Sequence, residues 1–475
     1  MKKTVTWILL ITLILALAAC GAPAAPTTLP TTLPTTVPTT APTTIPTTAP
    51  TTAPTTAPTT VPTTEPTTEP TTEPTTAPTE PPIIKESTVT IGAVGDILMH
   101  DPVISSGKQK DGTYDYNYVF RYVTGYVSAL DYAIANMEGT MRGTEDGYTY
   151  KGYPMFNAPD AIAEALKNAG FDMLLTANNH SYDTWATGFH RTQQVIADLG
   201  LDYTGTVHAI EDDNFIVKDV NGIRIGMICY TYNTGIIKSN GTYSLNGIPM
   251  SKENQHLVNH FSYLELNDFY EKLEGQLEKM QEAGAEATVM FIHWGDEYTL
   301  KPNRNQKKIA QKLCDMGFNV IIGGHPHVVE PMELLTSTVD ENHKTVCLYS
   351  MGNSLSNQRK ERMEDLTTGH TEDGVLMNLT FAKYSDGTVI LETVDILPTW
   401  VNMYYENDAK MYQILPLNTD PETWQDSFNL TNSQLKQAKA SYKRTMDIVE
   451  DGLTQIQAWC ADHQAAVEAE LGVLQ

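Results

Sequence analysis

The chain has 475 residues, of which 41% are hydrophobic, and this is enough to build one large domain or two modest ones. Its formal net charge is −26 at pH 7. Such an acidic excess argues against nucleic acid as a partner. An acidic protein can still bind an anionic substrate when bound metal cations reverse the local field.

The first residues have the pattern of an export signal. Lys2 and Lys3 precede an apolar run, Trp7–Ala19, which is too short for a comfortable membrane span. The run leads into Leu-Ala-Ala-Cys-Gly, which resembles a bacterial lipobox with Cys20 as the lipidated residue; the alternative is an ordinary signal peptide with an incidental cysteine. We predict a lipoprotein signal peptide over residues 1–19. The chain would then be lipid-anchored at the extracytoplasmic face of the bacterial cell membrane.

The next segment, residues 20–86, is predicted to be a tether. It repeats Pro-Thr-Thr-X almost without interruption from Ala24 to about Pro82. The repeat has no apolar periodicity from which to build a core, so an extended and mobile chain is expected. In polyproline geometry, at ~3.1 Å per residue, about 60 residues would reach on the order of 180 Å.

Four cysteines follow Cys20 in the sequence: Cys229, Cys314, Cys347 and Cys460. No Cys-x-x-Cys spacing occurs, so a cysteine-based zinc site is not expected. The first and third lie in strand-like apolar runs and the second in a helix-like stretch. Disulfides are permitted outside the cell, yet these positions favour buried free thiols.

After Ile83 the sequence alternates between strand-like and helix-like segments. The apolar runs typical of buried strands are TVTIGAVG, YAIANME, DMLLTAN, ATVMFIHW and NVIIGGH. The helix-like stretches are Asn117–Leu130, Asp160–Ala169, Gly188–Leu199, Phe261–Ala283 and Asn303–Met316, and Asn221-Gly222 predicts a hairpin turn. This alternation predicts an α/β domain over residues 87–399. Helix-forming composition predicts a C-terminal helical segment over residues 400–475, for which Thr431–Asn432–Ser433 offers an N-cap.

Each of the five predicted core strands runs into side chains that can bind a metal ion. In chain order these are Asp96 and His100; Asn136 and Glu138; Asn178, Asn179, His180 and Asp183; His293, Asp296 and Glu297; and His325 and His327. Each piece alone has a simpler explanation, since an aspartate after a strand is usually a turn or helix cap. Ligands bind at the carboxyl ends of strands in open α/β folds, however, so the five ends can converge on one site. Mixed imidazole and carboxylate ligands favour Zn, Mn or Fe.

These motifs, in this order, resemble those of a known protein family. The series GD…H, ANMEG, TANNHSYD, HWGDEY, GGHPHV and YSMGNSLSNQ resembles the bacterial capsule-synthesis protein CapA family, which is associated with poly-γ-glutamate. The resemblance covers about Val89–Asn357. It implies a branch of the calcineurin-like metallophosphoesterases, with a four-layer α-β-β-α sandwich and usually a two-metal site; here a C-terminal helical appendage would be added.

The resemblance also implies roles for individual residues. His180 matches the histidine that serves the leaving group, and Glu138 stands where the larger group has a bridging aspartate. The other metal ligands implied are Asp96, Asn179, His293, His325, His327 and His100. The residues implied to contact substrate or to support the ligands are Asn136, Asn178, Asp183, Glu297 and Asn353. His100 departs from the usual pattern, because it stands four residues after Asp96 where the superfamily has Asp-x-His.

Together these features predict a cell-surface lipoprotein that holds two divalent metal ions, either Mn, Fe or Zn. It would act in the synthesis, export or processing of poly-γ-glutamate or another capsule polymer, as a phosphoester hydrolase. The alternative is a non-catalytic subunit that binds or guides the anionic polymer. The expected partners are the polymer or its precursor, the membrane through the lipid anchor, and other capsule-synthesis membrane subunits.

Overall fold

The computed structural model describes residues 82–237, 241–418 and 420–473. The predicted signal peptide, Cys20 and nearly all of the predicted tether lie outside these residues. The strands are β1 (Lys85–Ile97), β2 (Tyr132–Met137), β3 (Met173–Leu175), β4 (Asp202–Thr204), β5 (Ile216–Val220), β6 (Ile223–Tyr232), β7 (Ile236–Ile237), β8 (Thr242–Leu245), β9 (Ile248–Pro249), β10 (His260–Phe261), β11 (Ala287–His293), β12 (Val320–Gly324), β13 (Met332–Thr336), β14 (Lys344–Leu348), β15 (Asn353–Leu355), β16 (Asp373–Tyr384), β17 (Val389–Glu406) and β18 (Ala409–Pro416).

The helices lie between and after these strands. They are α1 (Asp101–Ser106), α2 (Asn117–Phe120), α3 (Thr124–Val127), α4 (Ala161–Ala169), α5 (Trp185–Asp198), α6 (Leu266–Glu282), α7 (Arg304–Asp315), α8 (Trp424–Ser427) and α9 (Asn432–Leu471), with short 3-10 helices at Glu145–Gly147, Asn254–His256 and His370–Glu372. The helix predicted over Asn117–Leu130 is thus two short helices, α2 and α3. Helix α7 begins with a capping box, in which the Asn303 side chain accepts the Gln306 N–H and the Gln306 side chain accepts the Asn303 N–H.

Two large sheets carry the domain. The first has the order β18-β17-β16-β1-β2-β3-β4, with β15 also paired to β1, and its strands β1 to β4 are parallel. The second has the order β10-β6-β11-β12-β14-β13, with β5 paired to β6, and its strands β6, β11 and β12 are parallel. A small third sheet, β7-β8-β9, lies apart from both. The hairpin predicted at Asn221-Gly222 is the β5–β6 turn.

The two large sheets pack face to face, and each has helices on its outer face. Alternate side chains of the first sheet, such as Ile134, share one buried cluster with side chains of the second, such as Phe291. The neighbouring Ala133 and Ala135 point the other way and join a cluster with helices α1 to α5. The outer face of the second sheet packs on α6 and α7. The predicted four-layer α-β-β-α architecture is therefore confirmed.

The C-terminal region differs from its prediction. Residues 400–416, expected to begin a helical segment, continue β17 and form β18, so that the predicted boundary falls inside a strand. The predicted boundary lies too early in the chain, because residues such as Trp400, Val401 and Tyr404 favour strands and pair as a hairpin at the sheet edge. Helix α9 is capped by Thr431, the first of the three residues predicted to offer an N-cap. Its stripe from Ala438 to Cys460 is buried, and the residues from Val449 to Cys460 in this stripe join the cluster between the two sheets.

The four cysteines after Cys20 are free and buried thiols, as the sequence predicts. Cys229, Cys314, Cys347 and Cys460 are all free and buried. Within the described residues no helix combines the length and the apolar character needed to cross a membrane.

Candidate metal centre

The strand ends of the two sheets meet at one buried point. Asp96 lies near the end of β1 and Glu138 directly follows β2, whereas His293 ends β11. These strands are parallel within their sheets, so their carboxyl ends share an edge. The fit is tight, because a Cβ atom on Gly324 would lie 3.1 Å from Asp96 Oδ1 and 3.5 Å from His293 Nδ1.

Two groups of donor atoms lie at this point. Asp96, Glu138 and His327 form one group, and Glu138, His293 and His325 form the other; within each group the donor atoms are within 4.8 Å of one another. All five side chains are buried. Glu138 belongs to both groups, which is the place of a carboxylate that bridges two sites.

The Glu138 carboxylate is suited to bind a metal ion, because no protein group donates a hydrogen bond to it among the described residues. The side chain has no exposed surface, and neither of its oxygens has a hydrogen-bond partner among the described residues. The histidine nitrogens paired with it, His293 Nε2 and His327 Nε2, are 3.5 and 3.9 Å from Oε1. A buried carboxylate without hydrogen bonds costs several kcal/mol. A cation would offset that cost, and the carboxylate and imidazole donors at this point fit a divalent metal ion.

The Asp96 carboxylate, in contrast, is held by neighbouring side chains. Oδ1 accepts a hydrogen bond from Asn136 Nδ2 at 2.7 Å, and Oδ2 lies 3.0 Å from His327 Nδ1. Burial raises the pKa of Asp96, but the hydrogen bond and charge of His327 outweigh it and the net pKa is lowered. Asn136 thus orients a candidate ligand, as a supporting residue does.

The two histidines of the His-x-His sequence, His325 and His327, have pKa values shifted in opposite directions. Burial lowers the pKa of His327, but the charge of Glu138 and the hydrogen bond and charge of Asp96 outweigh it and raise that pKa to about 9. Burial and then the neighbouring His293 lower the pKa of His325 well below its usual value. A metal ion that binds His327 would displace its proton.

The backbone of the His-x-His turn is strained at the histidines themselves. His325 has φ 95° and His327 has φ 56°, a region that L-residues seldom adopt and that often marks functional sites. Gly323 and Gly324, which precede the histidines, are the last residues of β12. Gly323 is needed for close packing, because a Cβ there would lie 1.9 Å from the Tyr349 carbonyl oxygen.

Asn353 supports this turn from β15. Its Nδ2 donates to the carbonyl oxygen of His327 at 3.2 Å and to that of Thr371 at 2.9 Å. The sequence prediction of a supporting or substrate-contacting role thus corresponds, in the structure, to a contact with the backbone of a candidate ligand.

His180 lies beside the donor groups and is paired with a carboxylate. Its Nδ1 is 2.7 Å from Asp183 Oδ2, and both side chains are buried. The ring of Phe156 packs edge-on against His180 at 4.8 Å between centroids. Burial lowers the pKa of His180, but the hydrogen bond and charge of Asp183 raise it by more. A histidine oriented by a carboxylate is suited to proton transfer.

The neighbouring asparagines link the two sheets. Asn179 Oδ1 is 2.8 Å from His293 Nε2, so two candidate ligands from different sheets contact each other directly. Asn178 Nδ2 donates to the Met137 carbonyl oxygen at 2.9 Å, and Asn178 Oδ1 accepts from the His180 N–H at 3.2 Å. Asn178 therefore fixes the loop that carries His180 relative to β2.

His100 and Glu297, both expected at the site, are not members of the donor groups. His100 accepts the Asn357 N–H on its Nδ1 at 3.3 Å and packs edge-on against Phe156, and burial lowers its pKa to about 4. Glu297 is exposed and acts on His327 through its charge, which helps to raise the pKa of that histidine.

Two residues at the site were absent from the sequence prediction. Tyr232, the last residue of β6, has its hydroxyl 3.2 Å from His325 Nε2. Asn246, in the β8–β9 turn, places its amide 3.1 Å from Asp183 Oδ1. Tyr232 stands at a strand end like the other site residues and could have been found by that rule, whereas no sequence signal sets Asn246 apart from an ordinary turn asparagine.

The four-layer sandwich and the buried carboxylate–histidine groups at its strand ends define an α-β-β-α protein with a candidate metal centre. Residues 90–358 match the model of the family described as "Bacterial capsule synthesis protein PGA_cap". The chain belongs to this family.

Two curated relatives and one solved structure are similar to this chain. It is 28% identical over 319 residues to "Capsule biosynthesis protein CapA" of Bacillus anthracis, covering 65% of this chain and 67% of that protein. It is 26% identical over 318 residues to "PGA biosynthesis protein CapA" of Bacillus subtilis, covering 66% and 72%. The crystal structure of TT1561 of Thermus thermophilus aligns with 61% of this chain and 94% of its own, at a TM-score of 0.30 and 8% identity.

Proposed function

We propose that this protein is a metal-dependent phosphoester hydrolase that acts in the synthesis, export or processing of a capsule polymer of the poly-γ-glutamate type. The relatives are named for the biosynthesis of a capsule or of PGA, which supports the process. The observation that supports the chemistry is the Glu138 carboxylate, buried without a partner and common to both donor groups.

The proposed ligands of one ion are Asp96, Glu138 and His327, and those of a second are Glu138, His293 and His325, with Asn179 beside the latter. Bound divalent ions, either Mn, Fe or Zn, would polarise a phosphoryl oxygen and lower the pKa of a bound water.

The rest of the proposed chemistry belongs to His180. Asp183 holds its Nδ1 at 2.7 Å, which leaves Nε2 as the ring nitrogen for a proton exchanged with the leaving group. Phe156 packs against the ring and its backbone N–H donates to Asp183 Oδ2 at 2.6 Å. This arrangement fixes the imidazole before substrate binds, and such preorganisation favours catalysis.

The proposed setting is the outer face of the bacterial cell membrane. The lipobox-like sequence at Cys20 and the Pro/Thr repeat support a lipid-anchored chain on a long tether. The polymer or its precursor and other capsule-synthesis membrane subunits are the proposed partners.

A second function is a metal-containing subunit that binds or guides the polymer without cleaving it. It is favoured by the names of the relatives, which refer to biosynthesis and not to hydrolysis. Both functions use the same centre.

One experiment separates them. The full-length chain, purified without chelators, is analysed for transition metals and assayed for aryl-phosphate hydrolysis beside His325→Ala. A hydrolase should contain metal and lose at least about a hundredfold in activity on substitution. Absence of bound metal would contradict both functions, and metal without hydrolysis of any phosphoester tested would support the polymer-binding subunit.

A further inference from the structure

The small sheet β7-β8-β9 extends a turn to the His180–Asp183 pair. We call Leu245–Ile248 the cap turn. Leu245 has no exposed surface and packs in a cluster with Tyr182 and Phe189, on either side of Asp183 in sequence. The Gly247 N–H donates to Thr234 Oγ1 at 2.9 Å. The cap turn is therefore fixed to the same segment that carries the pair.

Asn246 directs its side-chain amide at this pair. Nδ2 is 3.1 Å from Asp183 Oδ1 and 3.0 Å from the Pro154 carbonyl oxygen. An amide has two N–H donors, and these two acceptors use both. His180 Nδ1 lies 3.3 Å from the same nitrogen, so its own proton is left to the closer acceptor, Asp183 Oδ2, at 2.7 Å.

Asp183 is thereby held from three separate segments of the chain. Oδ2 faces His180 and accepts the Phe156 N–H, and Oδ1 accepts from Asn246. The carboxylate has no exposed surface, so each donor offsets part of the cost of burying it. Loss of the Asn246 donor would free Oδ1 and allow the carboxylate to rotate.

The backbone geometry of the cap turn explains why residue 246 is an asparagine, but it does not explain why the Asn246 side chain contacts Asp183. Asn246 has φ 48° and is followed by Gly247 at φ 72°, as an Asn-Gly hairpin turn requires. Asn221-Gly222 has almost the same geometry, at φ 49° and 88°, and Asn221 Nδ2 also donates to an aspartate, Asp131, at 2.7 Å. That second turn lies at the opposite end of β6 from Tyr232 and so provides a matched control.

We propose that Asn246 is a positioning residue of the active site: its amide fixes the Asp183 carboxylate, which in turn orients the His180 imidazole for proton transfer. The cap turn is then a working part of the site and not only a covering loop. This inference rests on the proposed hydrolase function.

The kinetic test compares Asn246→Asp and Asn246→Gly with Asn221→Asp and Asn221→Gly. Aspartate replaces the donor with a carboxylate that repels Asp183, and glycine removes the side chain while keeping the positive φ. Both Asn246 variants should lose about tenfold or more in kcat, with KM within about twofold and metal content unchanged. The Asn221 variants should retain the wild-type kcat. Wild-type kcat in both folded Asn246 variants, or a rise in KM alone, would overturn the inference.

A spectroscopic test keeps the inference separate from the proposed function. In the wild-type chain with labelled histidine, the His180 Nδ1–H should give a low-field resonance that exchanges slowly, because it is held by Asp183. Asn246→Gly should speed its exchange by about tenfold and Asn221→Gly should leave it unchanged. If the wild type hydrolyses nothing, the proposed function fails and this measurement alone decides; equal exchange in wild type and Asn246→Gly would overturn the positioning role.

Discussion

The candidate metal centre and the interface of helix α9 both bury charged side chains, but the two regions differ in the hydrogen bonds that these side chains receive. At the centre both oxygens of Glu138 are buried without a partner. At the interface Asp373 accepts bonds from Arg444 at 2.7 Å through both oxygens and from Ser441 at 2.6 Å. A buried charge that the protein itself satisfies serves the fold, whereas one left unsatisfied is kept for a ligand.

The largest expected effect is on the fold. Deletion of residues 432–475 removes α9 together with Val449 and Ile456, and it exposes apolar side chains of the same cluster on the strands that α9 packs against, such as Met332 and Val394. We expect a loss of more than about 5 kcal/mol in the free energy of unfolding, which is comparable to the whole stability of a domain. Circular dichroism should show no cooperative unfolding transition. A truncated chain that unfolds cooperatively near the wild-type temperature would contradict this.

The interface ion pair should act on stability alone. Arg444→Met leaves the Asp373 carboxylate buried with only Ser441, and we expect a loss of about 3 kcal/mol, less than for a fully buried pair because Arg444 is partly exposed. The adjacent Lys443→Met removes an exposed i,i+4 pair with Asp447 and should cost under about 0.5 kcal/mol. Chemical denaturation measures both. Metal affinity of the folded Arg444 variant should equal that of the wild type.

At the candidate metal centre we expect the opposite pattern, in which metal affinity falls and the stability of the metal-free chain changes little. Glu138→Gln removes the shared carboxylate and should weaken metal binding by at least about a hundredfold, or about 2.7 kcal/mol. The metal-free variant should differ from the wild type by no more than about 1 kcal/mol, because the cost of burying a carboxylate without hydrogen bonds is removed together with its charge interaction with His327. Glu297→Gln, at an exposed site, is the control and should bind metal within about threefold. Calorimetric titration gives the affinities; a large loss of metal-free stability in Glu138→Gln would contradict the comparison.

Glu330 is a third buried carboxylate, and it is intermediate between Glu138 and Asp373 because only one of its two oxygens has a hydrogen-bond partner in the part of the chain that the structure describes. Its effect on stability can be tested by changing the pH. Only Oε2 has a partner, Gln306 Nε2 at 2.6 Å, and Oε1 has none among the described residues. Burial raises its pKa from 4.5 to about 8. Between these values the folded chain holds a proton that the unfolded chain has released, so this group makes stability fall as pH rises from about 5 to 8.

Glu330→Gln should therefore flatten the pH dependence of unfolding by about 1 kcal/mol per pH unit over that interval. The control is Glu341→Gln, at an exposed position, which should leave the slope unchanged. Denaturant midpoints at three pH values suffice, and an equal slope in Glu330→Gln and the wild type would show that Glu330 is ionised in the folded state.

The strand-end residues were predictable because their types are unusual for buried strands. Glu138 and His325 follow apolar runs in which periodicity requires neither, and parallel strands bring such ends to one edge. Asn246 was not predictable, since its turn resembles that of Asn221 and only tertiary packing aims one of them at Asp183. The strand through residue 400 was missed although its residues favour strands, because the helix-forming composition farther along the chain set the predicted boundary too early.

The sequence by itself determined the alternation of strands and helices, the order of the metal-capable motifs and the family. These depend on residue type and local periodicity, which act over a few residues. Only the tertiary structure decided that Glu138 is shared and unpartnered, that the positive φ angles fall on the two histidines and not on the glycines, and that α9 completes the core. Each of these depends on contacts between segments far apart in the chain, where geometry and burial decide which polar groups are satisfied.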